Sequence, residues 1–257
     1  MSLRLRPGLV VVRRDDRHLQ VGLEPPRRAV LADLPEVRAL LDDLQHGRPL
    51  GSLPPNAGAA LAQLQRAGLV GPPPPTQPTP APSVVLSGPR ALTDAASVRL
   101  RDSGVRIATE EPQGTVHLLL AHGALRRDLT DRLLREGTAH LIAVATAWGW
   151  ELGPFVVPGQ TACLRCADAA RSERDPRYGL VLDQLARAAV APVLNPAVLA
   201  IGLGWVARDL LAHARGEQPS TWSATVRLSD AAADAPLTEQ RWLRHPHCGC
   251  AWDALAG

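Results

Sequence analysis

The four cysteines of this chain constrain its fold more than any other feature. They form two close pairs, Cys163-Leu-Arg-Cys166 and Cys248-Gly-Cys250, and the sequence contains no fifth cysteine. Two such pairs, far apart in the sequence, are typical of a closed tetrahedral site in which four thiolates hold one structural Zn²⁺. The pattern predicts that residues 248–250 fold back onto residues 163–166. It also engages every thiol, so we expect no cysteine nucleophile.

Two alternatives to this zinc site stay open at the level of sequence. In the first, the cysteines form two reduced or two disulfide-linked pairs that bind no metal. A redox role for such pairs has even less support in the sequence. His245 and His247 flank Cys248 and carry ring nitrogens able to bind zinc. We favour four thiolates because they complete the metal shell by themselves, and because metal-bound thiols suit a reducing cytoplasm better than disulfides do.

The charge of the chain argues against a nucleic-acid partner. The 28 basic residues, all arginine, face 25 acidic ones, and residues 1–70 hold ten arginines against seven Asp plus Glu. Nucleic-acid binding needs a clustered basic surface, whereas a modest excess in one region suits an acidic peptide. The absence of lysine matters because enzymes that handle triphosphates commonly place a lysine on the phosphates. Only arginine could serve that purpose here.

The sequence predicts a cytoplasmic protein without a membrane segment. The first six residues lack the long apolar stretch of a signal peptide. We find no uninterrupted run of about 18 apolar residues, the length that spans a bilayer.

A proline-rich segment divides the chain. Residues 71–83 contain seven prolines in thirteen positions, so they can form neither a helix nor a central strand. We predict three parts: a compact unit in residues 1–70, a polyproline-type linker in residues 71–83, and an α/β domain in residues 84–257.

The first unit is predicted to place three strands before two helices. Asp33 and Asn56 are the expected N-caps of the helices, and Gly47 and Gly68 are their expected ends. We expect the strands at residues 9–12, 18–23 and 29–32. This order predicts a small winged-helix module.

The rest of the chain alternates strands and helices, which predicts a parallel sheet with helices on its faces. Strands are expected at residues 84–86, 105–108, 116–121 and 140–146, helices at residues 93–102, 125–136 and 196–214, and a β-rich end around residues 222–228. The long helix includes Gly202-Leu-Gly204, which looks like a nucleotide loop but is better explained by close helix packing. Asp128, Asp131, Arg126 and Arg127 are expected on a solvated helix face.

Three motifs carry a resemblance to a known family. Residues 153–166 read Gly-Pro-Phe-Val-Val-Pro-Gly-Gln-Thr-Ala-Cys-Leu-Arg-Cys, Asp175-Pro176 follows, and residues 244–250 read Arg-His-Pro-His-Cys-Gly-Cys. Together they resemble the ThiF-like proteins of azole-peptide biosynthesis, which bind precursor leader peptides and act with YcaO cyclodehydratases. The resemblance covers nearly the whole chain, and its sharp motifs lie in residues 137–180 and 241–252.

The resemblance implies an α/β fold class with two modules. An N-terminal winged-helix RiPP recognition element would precede a degenerate ThiF-like, Rossmann-type domain with the four-cysteine zinc site. In that family the leader peptide lies beside the third strand and against the last helix of the recognition element. The implied peptide-binding residues are Arg27, Arg28, Val30, Leu31, Leu61, Leu64 and Gln65. Leu61 and Leu64 have an alternative role as core residues. The implied partners are the precursor leader peptide and a YcaO-family cyclodehydratase, and homodimers are common among the relatives.

The chain departs from the adenylating relatives at their phosphate loop. Those proteins carry Gly-x-Gly-x-x-Gly after the first strand, for the nucleotide phosphates. Here the matching residues, 86–91, read Leu-Ser-Gly-Pro-Arg-Ala. We therefore expect a non-catalytic adaptor that binds structural zinc and no nucleotide. An ATP-dependent adenylyltransferase with an unusual loop and a zinc-stabilised interaction scaffold stay open as alternatives.

Overall fold

The computed structural model describes residues 3–72, 81–109, 115–188, 190–231 and 236–250. The chain divides into two compact units, Met1–Pro78 and Thr79–Gly257. The boundary falls inside the proline-rich segment, of which residues 73–80 lie outside the described residues. Gly71 and Ser83, the outer ends of the expected linker, already belong to strands. Each unit buries a hydrophobic core of its own.

The first unit consists of short strands and two helices. Its elements are β1 (Arg4–Leu5), β2 (Val11–Arg13), β3 (His18–Val21), β4 (Ala29–Ala32), α1 (Pro35–His46), α2 (Pro55–Arg66) and β5 (Val70–Gly71). Strands β2, β3 and β4 form an antiparallel sheet in that order, and β1 pairs with β5 as a separate two-stranded ribbon. The sequence predicted the three sheet strands but not the ribbon, because two-residue strands carry no periodicity.

The helices of the first unit begin differently from the expectation. Prolines, at positions 35 and 55, stand at the start of both helices, where the missing N–H costs nothing. Asp33 and Asn56 were therefore wrong as N-caps. The cap positions belong to residues 34 and 54, and neither makes a side-chain capping hydrogen bond. Asp33 instead forms an ion pair with Arg38, and Asn56 Nδ2 donates to Glu36 at 2.8 Å.

Both helices end at the glycines that the sequence indicated. Gly47 follows α1 with φ 67°, in the left-handed region that a glycine adopts without strain. Gly68 follows α2 at φ 62°. Between these ends, Leu40, Leu44 and Leu64 form the centre of the core of this unit.

The second unit is a mixed α/β structure. Its elements are β6 (Ser83–Ser87), α3 (Arg90–Asp102), β7 (Arg106–Ile107), β8 (Val116–His122), α4 (Arg127–Arg135), β9 (His140–Thr146), β10 (Gly149–Val156), α5 (Leu164–Ser172), α6 (Tyr178–Arg187), α7 (Pro196–Ala214), β11 (Ala224–Ser229) and β12 (Leu237–Arg241). The strands form one sheet in the order β12-β11-β10-β9-β8-β6-β7.

Only half of this sheet is parallel. Strands β6, β7, β8 and β9 run parallel, as the alternation of strands and helices predicted. Strands β9 to β12 pair antiparallel, so the expectation of an all-parallel sheet was wrong for this half. A two-residue connection joins β9 to β10, and such a turn can only produce a hairpin.

Helices cover both faces of the sheet. On one face α3 and α7 contribute Leu100, Leu203 and Leu210 to a core that includes Trp150. On the other face α4 and α5 contribute to a second cluster around Ile142. The cysteines belong to this second cluster and are therefore packed against this face of the sheet.

Helix α7 is long and apolar enough, by length and composition alone, to cross a bilayer. The sequence expectation of no such segment overlooked it. Its buried residues pack on the sheet, and it carries a buried carboxylate, Asp209. That carboxylate accepts hydrogen bonds from the backbone and hydroxyl groups of Ser220 and Thr221. These contacts are those of a core helix.

Candidate functional site

The four cysteines come together through two elements of the second unit. Cys163 is the N-cap residue of α5 in extended backbone, and Cys166 lies in the first turn of that helix. Cys248 and Cys250 follow β12 in a loop. Three of the four side chains are buried, and Cys250 is half-buried. The sequence expectation that residues 248–250 fold back onto residues 163–166 is met.

The geometry of the cluster fits a tetrahedral metal site. All four Sγ atoms lie within 4.8 Å of one another. The distances from Cys163 Sγ are 3.8 Å to Cys166, 3.6 Å to Cys248 and 3.4 Å to Cys250. Zn–S bonds of about 2.3 Å at tetrahedral angles place neighbouring sulfurs about 3.8 Å apart. The residues present therefore fit a zinc ion, and these separations exceed the length of a disulfide bond, about 2.0 Å.

The electrostatics of the cluster also favour a cation. Hydrogen bonding to Cys166 and Cys250, together with burial, raises the pKa of the Cys163 thiol. Hydrogen bonds from Cys163 and Cys250 lower the pKa of the Cys166 thiol to about 2. The hydrogen bond with Cys163 lowers the pKa of the Cys250 thiol, but its contacts with Cys166 and Cys248 and its burial outweigh that effect and raise it to about 12. Without a metal, the thiolate of Cys166 is stabilised by hydrogen bonds from the Cys163 and Cys250 thiols, which stay protonated. A divalent cation would allow all four to ionise.

Among the described residues, no histidine belongs to this cluster. His245 Nε2 lies 2.9 Å from Glu173 Oε1, and its Nδ1 accepts from the backbone N–H of His247 at 3.2 Å. Both ring nitrogens of His245 are thus engaged elsewhere. The alternative in which a histidine replaces a thiolate finds no support in this geometry.

A cavity of about 1160 Å³ lies beside the cysteines, between the start of α4, α5 and α6. Its charged lining residues are all in ion pairs. Arg126 pairs with Asp128, Arg127 with Asp168 and Arg187 with Asp183, and Arg165 pairs with Asp131 outside the lining. Asp128 and Arg126 are on a solvated surface, as expected. Arg127 was expected there too, which was wrong: its side chain is 12% exposed and binds Asp168 through Nε and Nη2.

The turn that would hold nucleotide phosphates connects β6 to α3. Gly88 has φ 147°, and a Cβ on it would lie 2.3 Å from the carbonyl oxygen of Leu120. Pro89 is the N-cap residue of α3 and has no backbone N–H to offer an anion. The glycine here serves close packing between strands, and Pro89 interrupts the row of N–H groups that cradles phosphates in such turns.

The proposed peptide-binding residues lie along β4, α2 and the turn before β4. Leu31 and Leu64 are buried in the core, which agrees with the alternative role stated for Leu64. Val30 and Leu61 are half-buried, and Arg27, Arg28 and Gln65 are exposed. Arg27 Nη1 donates to the carbonyl oxygen of Ala67 at 3.3 Å, so this arginine joins the turn to the end of α2.

Strand β4 is an open edge of its sheet. The backbone N–H of Asp33 donates to Arg17, which sets the alternation of hydrogen bonds between β3 and β4. By that alternation Leu31 bonds to β3, while the N–H and C=O of Val30 point away from it. On the opposite edge, the hydrogen bond from Arg14 N to His18 O sets the alternation between β2 and β3. By that alternation the backbone N–H and C=O of Val11 in β2 also point away from the sheet.

Sequence reasoning missed two groups near the cysteines. One is the buried pair of Arg127 and Asp168, whose partners are 41 positions apart, so no local pattern reveals them. The other is the set of hydrogen bonds made by Arg244 and His245 next to the second cysteine pair. Their position within four residues of Cys248 was the available signal, but of the two only His245 was considered, and only as an alternative ligand.

No protein-family model matches this sequence, and no curated protein matches it either. Solved structures do match. The heterocyclase TruD has 17% sequence identity and a TM-score of 0.70, with 97% of this chain and 42% of TruD covered. E. coli MccB has 12% identity and a TM-score of 0.64, with 97% and 96% covered. The E. coli microcin synthetase McbBCD complex contains a chain with 13% identity and a TM-score of 0.50, with 96% and 100% covered.

The fold is shared. At these identities the likeness concerns the fold alone. This chain spans about two fifths of the length of TruD and nearly the whole length of MccB. MccB has been solved with ATP, and also with AMPCPP and MccA.

Proposed function

We propose that this chain is a non-catalytic adaptor that binds the leader of a ribosomally made precursor peptide and delivers it to a YcaO-type azoline-forming cyclodehydratase. The observation that carries the proposal is the open edge of β4, with α2 beside it and exposed arginines at its start. The shared fold with TruD and MccB supports a role in ribosomal peptide modification, since those proteins are a heterocyclase and a protein solved with MccA.

The first unit would act as a winged-helix recognition element. A leader segment would add to the sheet as a fourth strand, using the N–H and C=O of Val30. Val30 and Leu61 would contact apolar side chains of the leader, because both are only half-buried. Arg28 would face acidic leader residues, and each such exposed ion pair would contribute about 1 kcal/mol or less.

The second unit would present the bound precursor to the partner enzyme. We propose that it is a degenerate ThiF-like domain whose four cysteines hold structural Zn²⁺. Zinc there would join α5 to the loop after β12 and contribute to folding, on the order of several kcal/mol. Tethering the precursor would make its encounter with the enzyme intramolecular, a gain of roughly 10²–10⁴ in avidity. The proposal places the adaptor in the cytoplasm and leaves its oligomeric state open, homodimers being common among the relatives that it resembles.

The proposal is tested by fluorescence polarisation with a labelled leader from the same gene cluster. The full chain should bind saturably, and Val30→Pro should weaken binding at least tenfold, because proline removes the N–H at the open edge without removing a bond to β3. Val11→Pro is the matched control at the opposite edge and should bind as the unchanged protein does. Equal losses in the two variants, or no binding at tens of micromolar protein, would reject leader capture at β4.

An ATP-dependent adenylyltransferase is the second candidate, favoured by the fold shared with MccB, which has been solved with ATP. The turn at Gly88 and Pro89 argues against it, as does a sequence without lysine. The two candidates separate in an ATP–pyrophosphate exchange assay with leader present. Exchange above the level of a heat-denatured control would establish the adenylyltransferase and refute the non-catalytic adaptor.

A further inference from the structure

Residues 244–250, called the arm below, contain the second cysteine pair. One residue of the arm, His245, is hydrogen-bonded to both cysteine pairs. The backbone N–H of His245 donates to Cys166 Sγ at 3.3 Å. The carbonyl oxygen of the same residue accepts from the backbone N–H of Cys248 at 2.9 Å. The backbone of His245 therefore contacts the first pair at the sulfur of Cys166 and the second pair at the backbone N–H of Cys248.

The ring of His245 fixes this segment in place. Its side chain is 11% exposed, and Nε2 lies 2.9 Å from Glu173 Oε1. Because Nδ1 accepts from His247 N at 3.2 Å, the ring proton is assigned to Nε2 and donated to the carboxylate. Glu173 caps the C-terminal end of α5, the helix that carries Cys166. The ring thus ties the loop of the second pair to the helix of the first.

We propose that His245 is a positioning residue for the metal, holding the two cysteine pairs in register through hydrogen bonds and never entering the coordination shell. The inference rests on the proposed zinc site and goes beyond it. Arg244 supports the same arm from the other side. Its Nη1 donates to Gly159 O at 3.0 Å, and its Nη2 donates to the carbonyl oxygen of Cys250.

These contacts should raise the affinity for a metal in two ways. An N–H donor aimed at a thiolate stabilises the ionised form that a metal needs. An arm held before the metal arrives also loses less conformational freedom on binding. Without the ring contacts of His245, the metal itself must order residues 245–250, so its affinity falls.

The test measures Zn²⁺ affinity of the full chain by competition with a chromogenic chelator. His245→Ala should reduce the affinity roughly 10- to 100-fold, the range found for partners that orient metal ligands. His247→Ala is the matched control: its backbone N–H remains, its side chain is exposed, and its affinity should stay within about twofold. Glu173→Gln should give an intermediate loss and, combined with His245→Ala, little further loss.

Two conservative variants separate positioning from general damage. His245→Asn keeps an acceptor near the position of Nδ1, and His245→Gln keeps a donor that reaches Glu173, so each should retain part of the affinity that His245→Ala loses. Far-UV circular dichroism at saturating zinc establishes that each variant is folded. Co²⁺ substitution adds a spectrum of the ligand set, which should be that of four thiolates in the unchanged protein and in His245→Ala alike.

The outcomes distinguish this inference from the proposed site. If the unchanged protein binds no zinc, the zinc site is refuted and the role of His245 with it. If it binds zinc and His245→Ala binds equally well, the site stands and the positioning role is refuted. A Co²⁺ spectrum that changes from a mixed sulfur and nitrogen set to another set in His245→Ala would make His245 a ligand and overturn the proposal.

Discussion

Arg126 and Arg127 are adjacent and chemically identical, yet the fold gives them different roles. Arg126 forms an exposed pair with Asp128, whereas Arg127 is buried against Asp168 and also donates to the carbonyl oxygen of Leu125 at 2.6 Å. An exposed pair contributes little because water screens it, while removing one member of a buried pair leaves an uncompensated charge.

Replacing these two arginines in turn should show the difference. Arg127→Ala is expected to lower the free energy of unfolding by about 3 kcal/mol, since buried Asp168 then keeps only the longer contact with Arg171 Nη1, at 3.9 Å. Arg126→Ala, the matched control, should change it by less than about 1 kcal/mol. Urea denaturation followed by tryptophan fluorescence measures both, and equal effects would contradict the buried pair.

His140 is a second residue whose environment decides its chemistry. It is fully buried in β9, with Nδ1 donating to Thr138 O at 3.0 Å, and it stands opposite His117 in the register of β8 and β9. Burial lowers the pKa of His140 below its ordinary value of 6.5, because the protonated ring would lose its hydration.

This shift predicts acid sensitivity. The unfolded chain takes up a proton near pH 6.5 and the folded chain only at lower pH, so His140 contributes stability above that pH that is lost as pH falls. His140→Asn keeps a donor for Thr138 and does not titrate. The stability difference between the two proteins should therefore shrink from pH 7.5 to pH 5, in urea titrations. A constant difference would mean that His140 does not titrate in this range.

At the scale of the element, α7 contains two glycines with opposite surroundings. A Cβ on Gly202 would lie 2.5 Å from Cδ1 of Trp150, whereas nothing lies within 4 Å of one on Gly204. Gly202 therefore allows the helix to approach the sheet, and Gly204 only weakens the helix.

Alanine at each position should separate these effects. Gly204→Ala is expected to raise the free energy of unfolding by about 0.5–1 kcal/mol, the difference in helix propensity. Gly202→Ala should lower it by about 1–3 kcal/mol through overpacking against Trp150, despite the same propensity gain. Thermal and urea unfolding of the two variants compare them directly, and a stabilised Gly202→Ala would refute close packing at this point.

The elements also show which sequence signals were sufficient. The expected bounds of β4, β9 and α7 agree with the structure. Asp33 ends β4, Pro196 begins α7, and β9 is a continuous apolar run between Gly137 and Gly149. Strand β10 was missed since Gly153-Pro154 inside it suggests a turn, and there the pairing register shifts. The cysteine cluster was predictable because four thiols have few arrangements, while the contacts of His245 depend on residue 173, 72 positions away.

For the whole molecule, the aromatic residues are unevenly divided. All six tryptophans and the one tyrosine come after residue 147, in the second unit. Intrinsic fluorescence therefore reports on the unit that holds the cysteines. The guanidinium of Arg171 lies over the ring of Trp242, 4.6 Å from its centroid. Trp242 directly precedes Leu243 and the arm of residues 244–250, so its fluorescence should respond when that arm loosens.

Metal removal provides the test at this scale. A strong chelator should lower the midpoint of the fluorescence-detected unfolding transition, by an amount equivalent to several kcal/mol if zinc links α5 to the arm. Adding excess Zn²⁺ should restore the midpoint. In Cys248→Ser the chelator should have little further effect, because the thiolate set is already incomplete. An unchanged midpoint in the original protein would exclude a structural metal.

The open edge of β4 has a cost for the protein as long as nothing pairs with it. An unpaired strand edge can capture the edge of another chain and start aggregation. The strand is only four residues long and lies between Arg28 and Asp33, so charge and brevity limit this hazard without closing the edge. If the proposed leader peptide pairs with this edge, co-expression of that peptide should increase the soluble yield of the protein.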